Sequence, residues 1–183
     1  MAATAAQKYK LKKFVKELEN YRARGTELVS VYIPQGYELA KIIKHLQDEQ
    51  GTASNIKSKS TRQNVIDALE RMIRHLKLFN ETPPNGFAVF SGNISEREGE
   101  SNIQVWSIEP PVPMNMRLYR CDKTFILDTL KEMTENNVIY GLLVIDKREA
   151  NIAILNGKTI IPIMEKHSMV PGKTRAGGQS AQR

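Results

Sequence analysis

The sequence is poor in residues that staple a chain or anchor it in a membrane. It has one cysteine, Cys121, and one tryptophan, Trp106. A lone cysteine excludes an internal disulfide and a cysteine-built metal cluster. No apolar run approaches the roughly 20 residues that cross a bilayer. The opening stretch MAATAAQKYKLKKFV has neither the long apolar segment nor the cleavage site of a secretory signal. No membrane association and a cytoplasmic, reducing setting are therefore expected. Acidic residues are missing from two stretches. Gly51 to Ile66 has none beside Lys57, Lys59 and Arg62, and Lys166 to Arg183 has none beside Lys166, Lys173, Arg175 and Arg183.

The chain has 183 residues, of which 40% are hydrophobic. That supports a packed core and argues against global disorder. The length suits one domain or one and a fraction. The net charge of +7 favours polyanionic partners, nucleic acid first.

In KYKLKKFVKELENYRA, the residues Leu11, Phe14, Val15, Leu18 and Tyr21 fall on one helical stripe, which Gly25 ends. ELVSVYIP alternates like a strand up to Pro34. YELAKIIKHLQDEQ returns to helical spacing, with Gly51 as its expected C-terminal cap. Residues 52–60 have no usable period and predict a loop. A long helix follows from Val65 through Leu76 and stops before Pro83 and Pro84. GFAVFSG and NIQVWSIEP predict two strands joined by a polar turn, and KTFILDTLKEM a short helix.

TENN, at 134–137, is a polar break that predicts a boundary between units 1–134 and 135–183. VIYGLLVID, ANIAILN and KTIIPIM then predict three strands, with a hairpin turn at Asn156-Gly157. The expected fold class is α+β: an N-terminal antiparallel sheet packed with helices, followed by the first strands of a truncated α/β unit. With no following helix, one face of the second sheet is expected to be uncovered, so that unit reads as incomplete.

The loop Thr52 to Ser58 reads T-A-S-N-I-K-S. Asn55 offers amide donors and an acceptor, Ser54 and Ser58 hydroxyls, and Lys57 a flexible point charge. Ile56 suits an anchor to the loop's own domain. The set fits the base edges and phosphates of single-stranded RNA. On composition alone it fits better a plain helix connector with Ser60 as N-cap of the next helix. In Y-R-C-D-K-T-F, the side chains of Tyr119, Cys121 and Phe125 suit walls around a base, or core positions at a strand-to-helix junction. Gly177, Gly178 and Gln179 lie in a terminal stretch with arginine at both ends.

TASNIKS, YxCxxxF and GGQ, in this order and with these separations, resemble the archaeal and eukaryotic class I peptide chain release factors, subunit 1. The similarity runs along essentially the whole chain, including G-T-A-S-N-I-K-S, P-P-N-G-F and G-G-Q-S-A. The resemblance implies an N-terminal domain that recognises stop codons in the ribosomal decoding site. It also implies a middle domain, here truncated, that carries GGQ to the peptidyl transferase centre. An absent C-terminal domain would engage a translational GTPase. The implied partners are ribosomal RNA, the mRNA stop codon and peptidyl-tRNA, with no cofactor and no metal. The implied codon-reading residues are Thr26, Glu49, Thr52, Ser54, Asn55, Ile56, Lys57, Ser58, Tyr119, Cys121 and Phe125. Asn55 and Lys57 match the positions that read the first uridine. Glu49, Tyr119 and Cys121 match those that handle the purines. His45, Gln50 and Arg117 stand nearby without a motif that gives them a role. A surveillance paralogue of the same architecture lacks GGQ and the NIKS loop.

The terminal segment suits support of a catalytic centre rather than autonomous catalysis. From His167 to Gln179 it has no carboxylate and no cysteine, and a glutamine amide does not titrate near neutral pH, so Gln179 is no general base. Gly177 and Gly178 let backbone press against a reacting ester. The Gln179 N–H can then face a developing oxyanion, and losing one such donor costs about 10²- to 10³-fold in rate. The Gln179 side chain would fill the pocket and admit water. Lys173 and Arg175 suit phosphates of ribosomal RNA. The chain is thus expected not to be a stand-alone enzyme. The alternative is an RNA-binding piece without release activity.

Overall fold

The computed structural model describes residues 3–95, 97, 99–134, 139–146, 148–156 and 159–169. They form two compact units, Met1–Glu135 and Asn136–Arg183. The fold is α+β.

The first unit is built around β1 (Leu28–Ile33), whose six residues are all buried. Its side chains alternate between two cores. Val29, Val31 and Ile33 join one, while Leu28 and Tyr32 join the other. Two neighbours flank this strand, β2 (Phe87–Asn93) and β4 (Leu118–Asp122), and β3 (Ile103–Ile108) closes the far edge. The order is β3-β2-β1-β4, with antiparallel pairing throughout.

Two helices cover the first core, α2 (Leu39–Thr52) and α3 (Lys59–Leu76), through Ile42, Leu46, Val65, Leu69, Met72 and Leu76. The other core is covered by α1 (Ala5–Leu18) and α4 (Asp128–Thr134) through Leu11, Val15, Leu18 and Leu130. The first of these opens with a capping box between Thr4 and Gln7. Tyr21, expected on its stripe, lies past the helix end and packs against Trp106 at 5.2 Å between ring centroids.

Three local expectations are corrected. Gly51 is not a helix cap: α2 runs through it to Thr52 and tightens into a 3₁₀ turn at Ala53–Asn55. The N-cap of α3 is Ser58, whose Oγ accepts from the Thr61 N–H at 3.3 Å, rather than Ser60. The helix expected across KTFILDTLKEM begins only at Asp128. Ahead of it, the Ile126 backbone is held at both polar groups. Its N–H donates to Ser30 Oγ at 3.0 Å, and its carbonyl accepts from Tyr32 Oη at 2.6 Å. Those bonds replace the helical ones and give two buried polar side chains of β1 their partners.

The second unit is an antiparallel sheet of β5 (Ile139–Ile145), β6 (Glu149–Asn156) and β7 (Thr159–His167). A register shift at Ile152/Ala153 places Ala153 opposite Pro162, in an edge strand that tolerates a missing N–H. Asn156 pairs with Thr159, and Gly157 of the expected turn lies outside the described residues. Leu143 and Val144 are successive and 62% and 67% exposed, so apolar side chains are open on both faces. The sequence predicts one open face only.

Candidate nucleic-acid interface

The segment from the end of α2 to the start of α3 is a tight structure rather than a slack loop. Thr52 Oγ1 donates to the Glu49 carbonyl at 2.9 Å, and Ser54 Oγ to the Gly51 carbonyl at 2.8 Å. The Thr52 hydroxyl thus joins the Ala53 N–H on the Glu49 carbonyl, and the Ser54 hydroxyl gives the Gly51 carbonyl a donor at the helix end. Arg62 donates to the Ser54 carbonyl at 3.2 Å. Ile56 packs against the α2–α3 core and anchors the turn. The hydroxyls of Thr52, Ser54 and Ser58 are therefore largely engaged in building the turn. Asn55 and Lys57 are exposed, and among the described residues neither side chain has a hydrogen bond or ion pair. These two are free to meet a ligand.

Beside the turn lies a groove of about 390 Å³, lined by Glu49, Thr52, Ala53, Ile56, Val65, Tyr119, Arg120 and Cys121. The pleat explains the strand's contribution: Tyr119 and Cys121 are two apart on β4 and share a face, on the side of the first core. Tyr119 Oη lies 3.4 Å from Cys121 Sγ, and either group can donate. His45 packs edge-on against the Tyr119 ring, 5.5 Å between centroids.

Burial, foremost, pushes the Tyr119 phenol well above its ordinary range, and contact with Cys121 and Glu49 adds to it. Burial likewise raises the Cys121 thiol, and nearby Glu49 adds to this, against a lowering by the Tyr119 hydrogen bond. Both groups stay protonated at neutral pH. The groove thus offers a phenol O–H, a weak thiol donor and carboxyl oxygens on a partly apolar floor. Such a set can hold a flat heterocycle and bond its exocyclic amine.

Phe125 does not belong to this site. It is 5% exposed and packs in the opposite core, against Phe90 and Trp106 at 5.5 and 5.7 Å. Its position after the strand turns its ring to the other side of the sheet. Thr26 is exposed in a bend before β1, at the strand end that pairs with Cys121 and Asp122. The bend is pinned: a Cβ on Gly25 would meet Thr61 Oγ1 at 2.6 Å, and buried Glu27 accepts from Asn64 Nδ2 at 2.9 Å. No described contact joins Thr26 to the groove.

Of the nearby residues without an assigned role, Gln50 donates to the Ile66 carbonyl at 3.4 Å, and Arg117 lies 5.0 Å over the Tyr37 ring. Val65 and Arg120 also line the groove; the sequence marks Val65 only as the start of a helical stripe and Arg120 only as an unassigned position inside Y-R-C-D-K-T-F. Lys173, Arg175, Gly177, Gly178 and Gln179 lie outside the described residues. In the second unit, Glu149, Glu165 and His167 bring ligand-type atoms within 4.8 Å of one another. All three are exposed, and the imidazole nitrogens lie 3.5 Å from Glu149 across the strand pair and 3.6 Å from Glu165 on the same strand, contacts that the strand register alone produces. No helix among the described residues is long and apolar enough to cross a membrane.

Residues 6–135 match eRF1 domain 1, and residues 139–183 match eRF1 domain 2. The chain is 57% identical over 183 residues to peptide chain release factor subunit 1 of Thermococcus kodakarensis, covering 100% of this chain and 44% of that protein. It is 56% identical over 178 residues to the protein of that name from Pyrococcus abyssi, covering 97% of this chain and 43% of the relative. A crystal structure of an archaeal translation termination factor, aRF1, superposes with a TM-score of 0.65 at 35% identity, covering 90% of this chain and 45% of that one. The chain thus spans less than half the length of these relatives. On the match of both domains in order and the identity along the whole chain, it belongs to the eRF1 family of peptide chain release factors, subunit 1.

Proposed function

We propose that this chain serves translation termination. Residues 1–134 act as the stop-codon recognition domain, and 135–183 as part of the domain that carries the GGQ segment to peptidyl-tRNA. The observation that carries this is a turn that leaves two polar side chains free, Asn55 and Lys57, while its Thr52, Ala53 and Ile56 line a groove together with Glu49, Tyr119 and Cys121. Asn55 and Lys57 would read the first uridine. Glu49, Tyr119 and Cys121 would receive the purines, whose amino groups suit carboxyl and phenol acceptors. Thr26 would act at the rim, with Thr52, Ser54, Ile56 and Ser58 holding the turn in shape.

The hydrolytic step would belong to ribosomal RNA. Gly177 and Gly178 would let backbone approach the ester, with the Gln179 N–H facing the oxyanion and its side chain admitting water. Lys173 and Arg175 would neutralise RNA phosphates. From Ser168 to Gln179 no carboxylate, histidine or cysteine supplies a base, so the chain would not cleave peptidyl-tRNA unaided. A translational GTPase would be engaged by parts of the relatives beyond the aligned span. A second reading is that residues 1–183 bind the ribosome without triggering release.

A peptide-release assay on stop-programmed ribosomes tests the proposal. Gly178→Ala should abolish release, because Cβ blocks the backbone path. Gln179→Ala should cost less, because the N–H survives. Full activity of Gly178→Ala contradicts the proposed role of the glycine pair. Ribosome binding without any release by the unsubstituted chain selects the second reading.

A further inference from the structure

The outward face of α1 combines features that the functional reading above leaves unused. Tyr9, Lys12, Lys13 and Lys16 stand at i, i+3, i+4 and i+7, which is one stripe of a helix. Tyr9 is 73% exposed, and the three lysines are exposed. The opposite stripe, Leu11, Val15 and Leu18, is buried in the core. Among the described residues, no carboxylate neutralises Lys12, Lys13 or Lys16. The acids nearest along the chain are committed elsewhere: Glu17 accepts from the Trp106 indole N–H at 3.0 Å, and Glu19 pairs with Lys131 at 2.7 Å.

A solvated face needs lysines alone. A protruding aromatic ring ringed by unpaired cations is the combination that binds unpaired nucleotides, the ring stacking on a base and the ammonium groups meeting phosphates. A lipid surface fits poorly, because the apolar stripe that would enter it is already in the core. We propose that this face is a second RNA-binding surface, with Tyr9 stacked on an unpaired base and Lys12, Lys13 and Lys16 on the flanking phosphodiesters. It extends the ribosome-binding reading. Because α1 covers the sheet face opposite α2 and α3, the domain would contact RNA from two sides.

The test is fluorescence anisotropy of the 183-residue chain with a labelled RNA hairpin bearing an unpaired loop, titrated with salt between about 50 and 200 mM. The variant with Lys12→Gln, Lys13→Gln and Lys16→Gln should flatten the log–log salt slope by about 2 to 3, at roughly 0.7 to 0.9 per phosphate contact. Tyr9→Ala should weaken binding about 5- to 150-fold, and Tyr9→Phe should restore it. The substituted side chains are on the solvent face, so unchanged circular dichroism and melting show that the variants are folded. A slope unchanged in the triple variant, or indifference to Tyr9→Ala, overturns the proposal. Equal, Tyr9-dependent binding to polyglutamate or to phosphatidylserine vesicles overturns the assignment to RNA. Lys57→Ala keeps the two readings apart. If it removes stop-codon response while the α1 variants bind normally, only the α1 surface fails. If the α1 variants lose RNA binding while Lys57→Ala leaves codon response intact, only the codon reading fails.

Discussion

Tyr119 Oη and Cys121 Sγ lie 3.4 Å apart on one face of β4, and the end of α2 sets Glu49 against them in a single groove. The strand alone makes the first pair, through its two-residue period. The helix supplies the third group, and burial between the two keeps phenol and thiol protonated. The result is a pair of protonated polar side chains beside the Glu49 carboxyl group and Arg120, a set that can tell a heterocycle carrying N–H donors from one that lacks them.

Tyr119→Phe removes the hydroxyl and keeps the ring. The loss of one hydrogen bond to a partly buried polar partner costs about 1 to 3 kcal/mol, or roughly 5- to 150-fold. Affinity for ribosomes with a stop codon in the decoding site should fall by that factor, and affinity for vacant ribosomes should not change. Glu49→Gln should act in the same direction. Filter binding with both ribosome states checks this.

Cys121 should react slowly. Its raised pKa, from the ordinary 9.0, means little thiolate near neutral pH, so alkylation by iodoacetamide should lag behind a free cysteine and accelerate only at higher pH. Tyr119→Phe removes the contact that lowers this pKa and should slow the reaction further. The linkage has a definite sign. A group held protonated in the fold contributes no pH-dependent loss below its unfolded pKa and destabilises the fold as pH rises past it. Denaturant melts should therefore show stability falling above about pH 9.

His75 gives the opposite limb. Burial, then the charge of Arg71, lower its pKa from 6.5, while its Nε2 lies 2.8 Å from Ser107 Oγ. The neutral imidazole is favoured in the fold, so its contribution is fully present above pH 6.5 and is lost as pH falls through the depressed value. His75→Asn should reduce the loss of stability between about pH 7.5 and 5.5, measured by urea unfolding at each pH.

Two glycines should answer oppositely to alanine. Gly51 is helical, and a Cβ added there would have nothing within 4 Å, so Gly51→Ala should stabilise by about 0.5–1 kcal/mol. Gly86 has φ +88°, and a Cβ there would lie 2.7 Å from the Ile33 carbonyl oxygen. Gly86→Ala should cost about 1–3 kcal/mol or more. Thermal melts of the two variants provide the comparison.

Elements with a strong local pattern were legible in the sequence: the strand β1, though it is buried on both faces, and the stripes of α1 and α3. Features decided across the sheet were not. Phe125 shares a motif with Tyr119 and Cys121, but the pleat and the clamp on Ile126 turn it into the opposite core. Gly51 looks like a helix stop, yet α2 continues to Thr52, where the Ala53 N–H and the Thr52 hydroxyl both reach the Glu49 carbonyl and the Ser54 hydroxyl reaches the Gly51 carbonyl. Ser58 and Ser60 are equivalent as letters, and only the first turn of α3 selects Ser58. The groove itself joins the end of a helix to a strand far along the chain, which no local pattern encodes. The Tyr9 and lysine stripe was hidden for a different reason: the apolar period that marks α1 as a helix says nothing about its solvent face.

Competition binding to ribosomes bearing a stop codon or a sense codon in the decoding site tests the central claim most directly. The unsubstituted chain should prefer the stop-programmed ribosome, and Lys57→Ala should erase that preference while leaving binding to the sense-programmed ribosome intact. Equal affinity of the unsubstituted chain for both ribosomes would contradict the claim that Asn55, Lys57 and the Glu49–Tyr119–Cys121 groove read the codon.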